Sequence, residues 1–120
     1  MSTDGTPLNG TGTDIIAFTP TSLGPDTTGS WGMYFNGLDV GLDKDGEKIT
    51  AVAVDGSGNI YLTSTSAFNV PGLFGDREDV FVFEPATLGG DTSGAFQTTR
   101  YFDGSINGLD GNSIYGLDFP

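Results

Sequence analysis

The sequence predicts an all-β chain built from two antiparallel, four-stranded repeats, and three observations predict it. Residues 49–64 read as two strands joined by a tight turn. Residues 14–29 recur 65 positions later as residues 79–94. Both copies also carry an apolar run without polar alternation, Ile15-Ile16-Ala17-Phe18 and Val80-Phe81-Val82-Phe83. Antiparallel strands with one wet face alternate apolar and polar residues, so an unbroken run demands cover on both faces. Between these clusters lie Gly, Thr, Ser and Asp, and no window of helical period competes.

The turn Asp55-Gly56-Ser57-Gly58 supplies residues that tolerate positive φ, which makes residues 49–54 and 59–63 the first and second strands of an intact repeat. Residues 66–74 form a partly apolar loop whose counterpart is residues 6–10. Residues 79–84 and 96–102 are the third and fourth strands, with earlier copies at 14–19 and 30–36. Trp31 matches Phe96, and Tyr34-Phe35-Asn36-Gly37 matches Tyr101-Phe102-Asp103-Gly104 after a two-residue insertion. Ile49-Thr50-Ala51-Val52 answers Ile114-Tyr115-Gly116-Leu117, so residues 113–119 are a second copy of the first strand. Residues 1–3 align with the end of the second strand.

Face-to-face four-stranded antiparallel sheets in regular repetition describe the blades of a β-propeller. The chain is then one module, residues 1–120, of two units of about 65 residues: an intact blade over 49–102 and a split blade from 1–36 plus 113–120. Two blades leave two apolar faces uncovered and cannot close a ring. Either the chain is part of a longer protein, or copies complete one another. The expected contact is residues 113–119 against the N-terminal region of a neighbouring copy, head to tail, closing into a ring or running on as a fibre.

Composition narrows the function. Sixteen acidic residues against four basic ones give a formal charge of −12, which repels phosphate backbones and anionic lipid and speaks against nucleic-acid and membrane-surface roles. With neither Cys nor His, thiol nucleophiles, the usual general base and most transition-metal chemistry are missing. No run approaches 18 apolar residues and no signal peptide is evident, so the chain as given reads as soluble without membrane insertion.

The carboxylates are the remaining candidates. Asp39, Asp43, Asp45 and Glu47 cluster between the two units, and Asp103, Asp110 and Asn112 occupy the corresponding loop of the second. Asp43 aligns with Asp110 and Asp45 with Asn112, and such oxygen donors on Gly-rich turns are candidate Ca²⁺ ligands. The alternative is a solvated turn-forming loop, since Asp and Gly serve that purpose too. Asp14 and Asp79 recur immediately before the apolar runs and read as caps or salt-bridged turns, while Asp76 and Glu78 could join a metal site in one blade alone. Paired carboxylates can hydrolyse glycosides, but here they sit at turn positions, and no enzyme activity is expected. Trp31, Tyr34, Tyr61 and Tyr101 could stack on sugars, although packing between blades accounts for the Trp31 and Phe96 equivalence.

Several motifs occur together in one order: Thr19-Pro20-Thr21-Ser22-Leu23-Gly24, Val70-Pro71-Gly72-Leu73, Glu78-Asp79-Val80-Phe81-Val82-Phe83 and Tyr101-Phe102-Asp103-Gly104-Ser105, with Gly41-Leu42 and Gly108-Leu109. They resemble a Gly/Asp-rich, propeller-like repeat family of large secreted or surface proteins of environmental bacteria. The resemblance covers nearly the whole chain after Asp14 and implies a secreted or cell-surface location. The expected function is an extracellular structural module that assembles with copies of itself, with calcium rigidifying its loops. A glycan- or peptide-binding module is the alternative.

Overall fold

The computed structural model describes residues 10–117. Eight strands run through them: β1 (Ile15–Ser22), β2 (Thr28–Phe35), β3 (Ile49–Val54), β4 (Ile60–Ser64), β5 (Phe68–Val70), β6 (Leu73–Gly75), β7 (Phe81–Thr87) and β8 (Ser93–Phe96). The class is all-β, and every sheet is antiparallel. One four-stranded sheet has the order β3-β4-β7-β8, flanked by two-stranded hairpins β1-β2 and β5-β6. Among the described residues the sheets do not close into a ring.

The β3–β4 hairpin forms where the sequence places it, because Asp55 organises the turn. Its Oδ1 accepts the amides of Ser57 at 2.8 Å and Asn59 at 3.0 Å, while Gly58 adopts φ 88°. After two short strands the chain returns to set β7 against β4, and Val80 with Phe81, Val82 and Phe83 of β7 are all buried as their unbroken apolar run requires. Phe81 stacks on Phe68 of β5 with ring centroids 4.0 Å apart, and Phe83 meets Phe96 at 5.0 Å. The stretch expected as a loop over 66–74 is thus a small hairpin, folded at Pro71-Gly72, that roofs this core with Phe68 and Val70.

The fourth strand needs correction. It lies at Ser93–Phe96 rather than over 96–102. The cause is the two-residue insertion already visible in the repeat. In the first unit β2 pairs with β1 from Thr28 through Phe35, but after Phe96 the extra residues loop out. Pairing resumes only at an isolated bridge between Val80 and Phe102. That bridge corresponds to the Ile15–Phe35 pair of the first unit.

Residues 113–117 do not form the strand expected over 113–119. Thr50 and Thr63 both donate to the Ile114 carbonyl, at 2.7 and 3.2 Å. Residues 118–119, and the second-strand remnant at residues 1–3, lie outside the described residues.

The first unit docks on the four-stranded sheet through the end of β2. Gly89 donates its amide to the Tyr34 carbonyl at 2.9 Å, forming a parallel bridge between Phe35 and Gly89. The Asn36 amide donates to Thr92 Oγ1 at 2.9 Å, and Thr92 donates its own amide to Asp39 Oδ2 at 2.9 Å. Phe35 then points edge-on at Phe83, 5.2 Å away. The β1–β2 hairpin otherwise extends from the body: the radius of gyration is 15.2 Å, against about 13 Å for a compact chain of this size.

Candidate functional site

The two recurring aspartates hold the corners of the units. Asp79 Oδ1 accepts the Gly104 amide at 3.0 Å and Oδ2 the Asp76 amide at 3.0 Å, with Arg100 Nη1 at 3.4 Å. Asp14 repeats this with Gly37 at 3.0 Å and Thr11 at 2.8 Å. Both glycines are pressed on the backbone before the aspartate: a Cβ on Gly37 would overlap the Thr13 carbonyl oxygen, and one on Gly104 the Glu78 carbonyl oxygen. After each glycine the chain turns through one 3-10 turn, Gly37–Val40 or Ser105–Asn107, and returns a leucine amide to the glycine carbonyl. Asp14 and Asp79 are therefore caps, as their position before the apolar runs suggests.

The seven residues proposed as calcium ligands have varied surroundings. Asp39 accepts the Thr92 amide across the junction between the units. Glu47 is fully buried, with Oε1 accepting the amides of Asp43 at 2.9 Å and Lys44 at 3.0 Å and Oε2 that of Asn69 at 2.7 Å. It ties the loop between the units to β5. Asp43 and Asp45 are exposed, and Asp43 Oδ1 pairs with Lys44 Nζ at 3.2 Å. The Ser105 hydroxyl, at 2.7 Å, works against some burial and with Arg100 to hold the Asp103 carboxyl below its usual range. Asp110 and Asn112 are exposed, and the Asn112 side chain donates to the Asp110 carbonyl at 3.3 Å. Among the described residues no three Asp, Glu, His or Cys side chains are grouped so as to hold a metal ion.

Glu78 has a role that sequence reasoning did not find. It is buried, its Oε1 accepts the Gly111 amide at 3.1 Å, and its Oε2 has no partner among the described residues. Glu47, one of the candidate ligands, is likewise a buried acceptor. The available signal in each case is a glutamate two residues ahead of an apolar run that begins at Ile49 or Val80.

Apolar and aromatic groups form the other candidate surface. Phe18 and Trp31 sit opposite each other in the β1–β2 ladder with centroids 5.0 Å apart and planes at 53°. Phe83 and Phe96 hold the matching register in β7–β8, also 5.0 Å apart, with planes at 61°. Their surroundings differ: Phe96 is 6% exposed and Trp31 39%. Ile16 is 46% exposed where its counterpart Phe81 is 0%, so the first apolar run lacks the cover that the sequence leads one to expect. Of the other candidate sugar-stacking rings, Tyr61 and Tyr101 meet edge to face at 4.8 Å, and Tyr34 packs beside the core. A solvent-open depression of about 370 Å³ lies between Leu73, Phe74, Thr98, Arg100 and Asp103. No family model matches the chain, and neither a curated protein nor a solved structure matches it.

Proposed function

We propose that the chain is an extracellular structural module, propeller-like in its repeat, that self-associates head to tail so that each copy completes the unfinished unit of the next in a fibre or a ring. The observation that carries this reading is the unequal cover of equivalent positions. Phe81 and Phe96 are enclosed by their blade, while Ile16 and Trp31 at the same register stand open, and β1 pairs on one edge only among the described residues. Unpaired edges and uncovered apolar faces are what a strand-completing partner satisfies. Sedimentation velocity over a wide concentration range tests the reading: the expected result is a series of homomeric species growing with concentration. A monomer throughout would remove it.

Calcium enters this reading only as a rigidifier of the exposed Asp43, Asp45, Asp110 and Asn112 loops. Excess chelator at fixed ionic strength then lowers the melting temperature, since a ligand bound only to the folded chain stabilises it. An unchanged melting temperature would remove calcium and leave the assembly intact. The location outside the cell rests on the resemblance of the repeat motifs, and fractionation of the producing cells tests it.

A second reading, glycan or peptide binding, is favoured by the exposed Phe74 beside the Arg100–Asp103 ion pair in the 370 Å³ depression. An aromatic face next to fixed polar groups suits either ligand. Oligosaccharide titrations followed through the Phe74→Ala variant separate it from the first reading, since that change leaves β1 and β2 untouched.

A further inference from the structure

We infer that the Phe18–Trp31 pair of one copy is the receptor for Phe102 of a second copy, in the way that Phe83, itself packed on Phe96, receives Phe35 inside the chain. The inference rests on the proposed self-association and gives it a residue-level interface. The receptor halves match in register, separation and tilt. The inserting halves match as well. Phe35 pairs with Ile15 and Phe102 with Val80, each two residues ahead of a glycine held by Asp14 or Asp79.

The hydrogen-bonding groups around the internal contact recur on the open hairpin. Inside the chain, Gly89 and Thr92 supply the amide and the hydroxyl oxygen that meet Tyr34 and Asn36. Their counterparts, Gly24 and Thr27, hold the same conformation: φ is 103° at Gly24 and 102° at Gly89. Thr27 Oγ1 donates to the Gly24 carbonyl at 2.6 Å, as Thr92 Oγ1 does to Gly89 at 2.8 Å. A second copy's Tyr101 carbonyl and Asp103 amide can therefore be met as those of Tyr34 and Asn36 are. Leu109 adds apolar surface, being 36% exposed where its counterpart Leu42 is 0%.

Two internal contacts have no counterpart. Ile106 stands where Asp39 takes the Thr92 amide, and Asp103 lacks the side-chain amide with which Asn36 reaches Gly90. The contact between copies is accordingly weaker than the internal one, which makes it reversible and concentration-dependent.

The test uses the full chain and the fact that Trp31 is its one tryptophan. Wild-type emission should shift to the blue as concentration rises and Trp31 is covered. Trp31→Asp and Phe102→Asp chains should each stay monomeric, with far-UV circular dichroism like that of the wild type. Mixed, they should form a dimer and nothing longer, because one chain keeps the receptor and the other keeps Phe102. The Trp31→Asp chain has no tryptophan, so any blue shift in the mixture reports Phe102 arriving at Trp31. If an Asp variant fails to fold, Trp31→Ala and Phe102→Ala take its place in the same mixture. Wild-type association that both substitutions leave unchanged would overturn this interface while keeping self-association. A monomeric mixture would do the same, and a wild type that stays monomeric would overturn both.

Discussion

Asp79 and Gly104 are joined by a hydrogen bond of 3.0 Å that is buried from solvent, and the same bond between Asp14 and Gly37 is half-open. The two differ in what a substitution strands. Asp79→Ala leaves the Gly104 and Asp76 amides and part of Arg100 without their acceptor. It should cost about 3–5 kcal/mol, the range for breaking a buried charged contact. Asp14→Ala should cost about 1–2 kcal/mol, because water replaces part of what is lost. Urea unfolding of the two variants checks the order; equal losses would contradict it.

Glu47 and Glu78 should respond in opposite directions to removal of their charge. Glu47→Gln keeps one oxygen for Asp43 and Lys44 but turns an amide N–H₂ towards the Asn69 amide, donor to donor. A loss of about 1–3 kcal/mol is expected for the stranded donors. Glu78→Gln can keep its bond from Gly111 and removes a charged oxygen that has no partner among the described residues. The expected result is a gain of about 1 kcal/mol, since an unpaired buried charge opposes folding. Thermal melts of both variants at neutral pH decide it.

Acid should weaken the fold partly through the β3–β4 turn. Burial pushes the Asp55 carboxyl up, but the Asn59 and Ser57 amides and the Tyr61 hydroxyl outweigh it and hold it below its usual range. A carboxylate lowered in the folded state stabilises the fold above its unfolded value and loses that effect as pH falls through the folded value. Asp103 behaves in the same sense. The melting-temperature difference between wild type and Asp55→Asn should therefore shrink on titration from about pH 7 to about pH 2. A difference that stays constant over that span would show that the charge of Asp55 is irrelevant.

Association should strengthen with salt. Each copy carries a formal charge of −12, so two copies repel before Phe102 can reach its receptor. Raising sodium chloride from about 0.02 M to about 0.5 M shortens the screening length severalfold and should raise the weight-average mass at fixed protein concentration. A fall in mass would point to ion pairs between copies rather than an apolar contact.

The hairpin of β3 and β4, the repeat and the buried third strand were legible in the sequence because local chemistry determines them: an Asp-Gly turn, a matching string and an apolar run. The end of the fourth strand was not. The insertion between Phe96 and Tyr101 was visible, but whether added residues bulge out or lengthen a strand depends on what β7 can pair. The burial of Glu47 was hidden for a related reason. A carboxylate beside Asp43 and Asp45 looks like one more cation ligand until the fold brings the Asn69 amide to it from β5.

The glycine contacts say something about how two halves of a duplicated sequence diverge. Gly29 and Gly94 stand where a Cβ would overlap the carbonyl oxygens of Thr19 and Glu84, as Gly37 and Gly104 do beneath Thr13 and Glu78. At all four positions the neighbour is backbone, which no second change can trim, and the residue is glycine in both halves. Other equivalent positions differ between the halves: Ile16 against Phe81, Trp31 against Phe96, Val40 against Asn107. A compensating exchange elsewhere can accommodate a larger or smaller ring, but nothing can move a peptide oxygen. Part of the memory of the duplication is thus kept by places with no room at all, and substitutions there should be the hardest to rescue by a second mutation.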